Sequence, residues 1–216
     1  MKGQTQAVTA VMITGIMVGT ISAVYVWGTP LLEKREGQSQ VNQIENDVLG
    51  LKSEIDSVSD AGQNSGSQVN LRLDDGEVYV NEAENYIEVT VFASSSRYPQ
   101  GTWRLLEGNN LQGLSFASGD YGIRGQDSPG VVAVRSQGSQ SGRITYRIEY
   151  RNLLDERFSE PTVQLADIQS VGAERTSGET TVSIVNQGTE IDENGFELNT
   201  GEEVDRTRTV LEVDLQ

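Results

Sequence analysis

Carboxylates are the only abundant chemical tool in this chain. Its 216 residues hold 32 Asp and Glu against 16 Lys and Arg, with no His and no Cys. Lacking His, the chain has neither the commonest general base nor the commonest zinc ligand. Lacking Cys, it has no disulfide, no thiolate nucleophile and no Cys-ligated metal. Two acidic runs come nearest to a metal loop, Asp74-Asp75-Gly76-Glu77 and Asp192-Glu193-Asn194-Gly195. Neither has the D-x-D-x-D-G spacing that wraps oxygens round calcium, so both read as exposed acidic turns. Glu202, Glu203 and Asp205 read as solvated charge. A carboxylate pair can drive glycoside hydrolysis, but the pattern gives no pair a reason to be buried. Ser94, Ser95 and Ser96 lack the G-x-S-x-G elbow of an activated serine. Tyr98, Trp103 and Tyr121, in loop-rich sequence, could form an adhesive patch, although core packing is the stronger expectation. There is no N-x-S/T acceptor for N-glycosylation. The expectation is a chain that is not an enzyme and takes no cofactor or metal. A net charge of −16 repels nucleic acid, which needs basic grooves. It suits high salt, where self-repulsion is screened, and so points to a halophilic setting.

One stretch must position everything else. Residues 7–27, AVTAVMITGIMVGTISAVYVW, form a run of about 21 uncharged residues, the length a helix needs to cross a ~30 Å hydrocarbon core. The charge-free run extends over residues 3–32. It is too long for a secretory signal, whose apolar region is ~7–15 residues. Lys2 keeps the N-terminus cytoplasmic and sends the body outside, and Tyr25 and Trp27 fall at the outer interface. Gly15 and Gly19 form a G-x-x-x-G pair that lets helix backbones approach closely. Val8, Val11, Met12, Gly15, Ile16, Gly19, Ile21, Ala23 and Trp27 are the candidate helix–helix contacts. Gly28 and Pro30 predict a kink or interruption.

From residue 41 the period is helical and amphipathic. Val41, Ile44, Val48, Leu51, Ile55 and Val58 recur at alternating spacings of three and four, a narrow apolar seam. Glu45, Asp47, Lys52, Glu54 and Asp56 are expected on the other faces. The seam can pack on its own domain or on neighbouring subunits; its own domain is favoured. A Gly/Ser-rich linker follows at 61–67.

Over residues 68–216 the period becomes two. Strands are expected at 69–73, 77–80, 86–92, 102–106, 113–117, 131–135, 143–150, 162–168, 180–185, 195–198 and 206–213. Turns are expected at Asp75-Gly76, Asn109, Gly119-Asp120 and Asn194-Gly195, and a helical turn at 153–158. The fold class is α+β: a long N-terminal hydrophobic helix followed by an antiparallel β-sandwich or barrel head domain.

Lys2-Gly3-Gln4, the uncharged helix behind them, its amphipathic continuation and the β-rich head together resemble the archaeal type IV pilin-like superfamily, which includes adhesive pilins and archaellins. The likeness covers about the first 60 residues; the head matches only in being β-rich. The resemblance implies a membrane precursor with its N-terminus in the cytoplasm. A prepilin-type peptidase would cut between Gly3 and Gln4. Residues 1–3 are then a short basic leader, 4–32 the apolar core part of the helix and 33–60 its amphipathic part. Released helices bundle into a filament core of identical subunits, with heads outside. Bacterial pilins place a Glu at the fifth mature position, where this chain has Val8; many archaeal subunits lack that Glu. The expected function is a structural subunit of an extracellular pilus-like filament for adhesion or surface attachment. A motility filament subunit and a membrane-anchored monomeric binding protein are the alternatives. The physics agrees: burying a helix face of ~1,500 Å² at ~25 cal/mol per Å² is worth tens of kcal/mol against water. Only lipid or like helices supply that burial.

Overall fold

The computed structural model describes residues 2–93, 97–98, 100–109, 121–138, 142–157 and 160–216. Within the helix the side chains of residues 2–8, 10, 30–31 and 33–34 are outside the description. Ser94, Ser95 and Ser96, the strand expected at 113–117 and the turn expected at Gly119-Asp120 also lie outside the described residues.

A single helix, α1 (Lys2–Ala61), runs for 60 residues, about 90 Å at ~1.5 Å per residue. It passes through Gly28 and Pro30 without a break, so the interruption expected there does not occur. Proline leaves the Val26 carbonyl without its N–H donor. Next to that gap the Thr29 hydroxyl donates to the Tyr25 carbonyl at 2.7 Å, as Thr20 does to Ile16 at 2.7 Å. Such bonds occupy helix carbonyls without water.

The strands are β1 (Gly66–Asn81), β2 (Tyr86–Ala93), β3 (Arg104–Glu107), β4 (Gly122–Ile123), β5 (Gly130–Gln137), β6 (Gly142–Tyr150), β7 (Leu153–Asp155), β8 (Thr162–Val171), β9 (Arg175–Glu197) and β10 (Glu203–Leu215). They form one ten-stranded sheet in the order β3-β5-β6-β2-β1-β9-β10-β8-β7-β4. Pairs are antiparallel except β10 with β8 and β4 with β7. Strand count alone suggests a sandwich or barrel; the described residues form one open sheet, with β3 and β4 at its edges. Helix, not a second sheet, supplies the facing layer: α1 residues from Val41 to Val58 share one core with β1, β2, β5, β6, β8, β9 and β10.

Two sequence turns prove to be bulges. Asp75-Gly76 does not reverse the chain. Residues 73–76 bulge between the pairs Arg72–Glu179 and Glu77–Ser177, and β1 continues. Glycine is needed at 76 for close approach, because a Cβ there would stand 2.6 Å from the Thr90 carbonyl oxygen. One long β1 therefore stays paired with β9 on both sides of the bulge, and its last part, residues 76–81, also pairs with β2. Asn194-Gly195 lies inside β9, at a shift in its pairing with β10. Asn194 takes φ 52 there, and its N–H donates to Asp205 at 2.9 Å. The chain reverses instead between β1 and β2, with Asn85 at φ 56, and between β9 and β10, where the Leu198 N–H reaches the Glu202 carbonyl at 2.8 Å. Leu153–Asp155, expected as a helical turn, is strand β7 because β4 and β8 offer its backbone partners on both sides.

The expected linker is shorter than its composition suggests. α1 ends at Ala61, and Gly66 and Ser67 already pair with Val185 and Ile184. A second apolar cluster, Leu154, Val163, Phe196, Leu198 and Val204, lies on the opposite sheet face from the helix. Tyr121 packs edge-on against Phe196 there, with ring centroids 6.0 Å apart.

Candidate functional site

The feature with functional content is α1 and its hold on the sheet. Spacings of three and four place Val41, Ile44, Val48, Leu51, Ile55 and Val58 on one helix face, and all six are at most 4% exposed. They meet Leu71, Val78, Ile87, Ile144, Ile148, Ile184 and Leu211. At ~25 cal/mol per Å², each such side chain contributes roughly 1.5–3 kcal/mol by leaving water.

Polar groups pin both ends of this contact. Near the start, the Tyr146 hydroxyl donates to the Val41 carbonyl at 3.3 Å, and Arg97 and Tyr98 both bond Glu45. Burial pushes the Tyr146 phenol well above its usual range, so it stays a donor. At the far end, the buried Asn186 side chain donates to the carbonyls of Val58 (3.0 Å) and Ser59 (3.2 Å). Ser65 donates to Val58 at 2.9 Å, and the Asn64 N–H meets the Asn186 carbonyl at 2.7 Å. Helix C-termini leave carbonyls without partners; Asn186 from the sheet and Ser65 from the connecting loop satisfy those of Val58 and Ser59.

One residue off the seam is buried as well. Lys52, expected on another helix face, is 7% exposed. Its ammonium lies 2.8 Å from Asp56 and 2.6 Å from Glu107 of β3. Tyr150 of β6 donates to the same Asp56 at 3.0 Å. Burial lowers the Lys52 pKa, but the bonds and charges of Asp56 and Glu107 outweigh it and hold the amine protonated. Burial, then the Asp56 charge, raises Tyr150 well above its usual range. The cluster is an electrostatic clamp between helix, β6 and β3. Lys52→Met is expected to cost about 1–2 kcal/mol at pH 7, because its carboxylates are part-exposed and can turn to water. Urea unfolding at pH 7 checks this: a variant as stable as the wild type, or more stable, refutes the clamp.

N-terminal to the seam, the described side chains of residues 11–27 are all exposed. The segment Val11–Thr29 has 19 residues, a mean hydropathy of 1.7 and no part buried, and is long and apolar enough to cross a membrane. Val11, Met12, Ile16, Ile21 and Trp27 are all exposed, and so is Ala23. Gly15, Gly19 and Gly28 have open space where a Cβ would sit. Lys2, Gly3, Gln4 and Val8 lie in the helix, with side chains outside the description. Comparison of the chain with protein-family models, with curated proteins and with solved structures found no match.

The remaining candidate chemistry is dispersed. Asp74 and Asp75 are exposed, while Glu77 pairs with Arg175 at 3.1 Å. Asp192 is held by Arg206 and Arg208, both at 2.9 Å, which keep its carboxyl below the usual range. Among the described residues no group of three or more carboxylates is placed to hold a metal ion. Tyr98, Trp103 and Tyr121 do not meet: Tyr98 packs on Tyr146 in the main core, Trp103 lies against Arg135 and Arg147, and Tyr121 joins the second cluster. Glu149, which no sequence signal marks, is a carboxylate buried on the sheet face away from the helix, 3.7 Å from Arg147. One of its oxygens has no hydrogen-bond partner.

Proposed function

We propose that the chain is the structural subunit of an extracellular archaeal type IV pilus-like filament that serves adhesion or surface attachment. The supporting observation is a single helix with two fates. One face of its C-terminal part is buried in its own head, whereas Val11–Thr29 is apolar, has no buried residue and continues as the same helix. A soluble chain does not leave such a segment in water. Lipid covers it in the precursor, and sister helices cover it in the filament. The acidic head stays outside and soluble.

Terminal sequencing by mass spectrometry of filaments sheared from cells is expected to find Gln4 as the first residue. Intact Met1 in assembled filaments rejects the processing step. Gly15→Leu fills the open space beside the helix and is expected to cut filament yield about tenfold by keeping backbones apart. Unchanged yield by electron microscopy rejects a contact at that glycine. Membrane-bound chain with no sheared filaments favours the anchored monomer instead.

A further inference from the structure

We infer that successive heads touch head-to-tail, an arginine–aromatic patch on one copy receiving the acidic β9–β10 tip of the next. This contact rests on the filament reading above and adds the surface through which heads meet.

The patch lies where α1 enters the head. Tyr146 reaches Val41 there, and β6 continues from Tyr146 back to Arg143, which pairs with Phe92 of β2. Both side chains face away from the helix, since Val91 and Ile144 beside them point into the core. The Arg143 guanidinium stands 5.5 Å from the centre of the Phe92 ring, and that ring is 52% exposed. On the neighbouring strand Arg135 stacks 4.3 Å from Trp103, and its buried Nε has no hydrogen-bond partner. Carboxylates outnumber cations two to one in this chain, and Arg147, Arg175, Arg206 and Arg208 all hold one. Arg135 and Arg143 have none among the described residues.

The complement lies at the other end. β9 and β10 run on past the end of α1, which Asn186 caps. Ile191 pairs with Thr207 and so shares the sheet face of Leu211 and Val213, beyond the reach of the helix; it is 67% exposed. Glu193, Glu197, Glu202 and Glu203 surround the tip, exposed and without a cation partner among the described residues. Each end thus presents one exposed apolar side chain and, on the same end, unpaired charge of opposite sign. The two ends of one head cannot meet each other. A contact between them is heterologous and repeats without closing, which is how a filament grows. It also offsets repulsion between acidic heads.

Because the chain has no Cys, a double variant Phe92→Cys/Ile191→Cys of the full-length chain carries only the introduced thiols. Mild oxidation on cells should give a ladder of disulfide multimers on a non-reducing gel, with no ladder from either single variant. Adding Arg143→Glu should cut ladder yield about tenfold by like-charge repulsion, and adding Glu193→Arg to that variant should restore it. Filaments without a ladder overturn the head contact and leave the filament reading standing. A ladder without filaments does the reverse. Binding of a soluble acidic polysaccharide that needs Arg143, with no ladder, assigns the patch to a glycan and overturns the contact.

Discussion

Leu51→Ala lowers the unfolding free energy of the head by about 2–5 kcal/mol. Leu51 is fully buried at the middle of the seam, between helix and sheet. The lost methyl groups forfeit their transfer free energy. A cavity also remains, because the surrounding side chains are held by strands on several sides and collapse only in part. Ser53, exposed on the same turn, provides the control: Ser53→Ala should change stability by less than ~0.5 kcal/mol. The second control is more telling. Ile16→Ala removes a comparable apolar group from the same helix, yet Ile16 is exposed in the single chain. Its head should unfold at the wild-type denaturant concentration, and only membrane association or filament yield should fall. Equal losses of head stability for Leu51→Ala and Ile16→Ala would mean that the helix does not divide its apolar surface between a private core and an outside partner.

The second large effect concerns pH. Burial pushes the Glu149 carboxyl up to about 7, against 4.5 for the free group. Arg147 pulls the other way, while Glu84 and Glu88 add to the rise. A carboxyl whose folded pKa is raised holds its proton longer in the folded chain than in the unfolded one. Its contribution is complete below pH 4.5 and is lost progressively as pH rises to about 7. At ~1.4 kcal/mol per pH unit the loss reaches at most about 3.5 kcal/mol. Glu149→Gln keeps the shape and removes the ionisation. At pH 8 it should be more stable than the wild type by about 1–3 kcal/mol, and at pH 4 the two should match. Guanidinium unfolding at the two pH values decides it, and a variant equally stable or weaker at pH 8 refutes the claim. The same position bears on packing of the outer face. Arg147 sits 3.9 Å from the Tyr86 ring and 5.2 Å from Trp103 while holding Glu88 at 2.7 Å. Its charge is already spent on Glu88, which is why it only partly relieves Glu149.

The acidic outside and the apolar rod are composition and length, and both are visible in the chain itself. The seam is visible too, because helical geometry places residues three and four apart on one face whatever they later meet. Period two marks residues near most strands, including β2, β5, β6, β8 and β10, since alternate side chains of a strand must face opposite ways. Tertiary structure decided the rest. Asp75-Gly76 and Asn194-Gly195 carry turn chemistry, yet in each a neighbouring strand continues to offer hydrogen bonds, and a bulge keeps the ladder where a reversal would end it. Leu153–Asp155 is a strand for the same reason. Lys52 looks like a surface residue until Asp56, Glu107 and Tyr150 arrive from 4, 55 and 98 residues away to enclose it. Glu149 looks like the outward member of an alternating strand until it is covered. Local periodicity fixes which way a side chain points, but whether anything stands there to meet it depends on contacts distant in sequence. Those contacts turned an expected sandwich or barrel into one open sheet closed over its own helix.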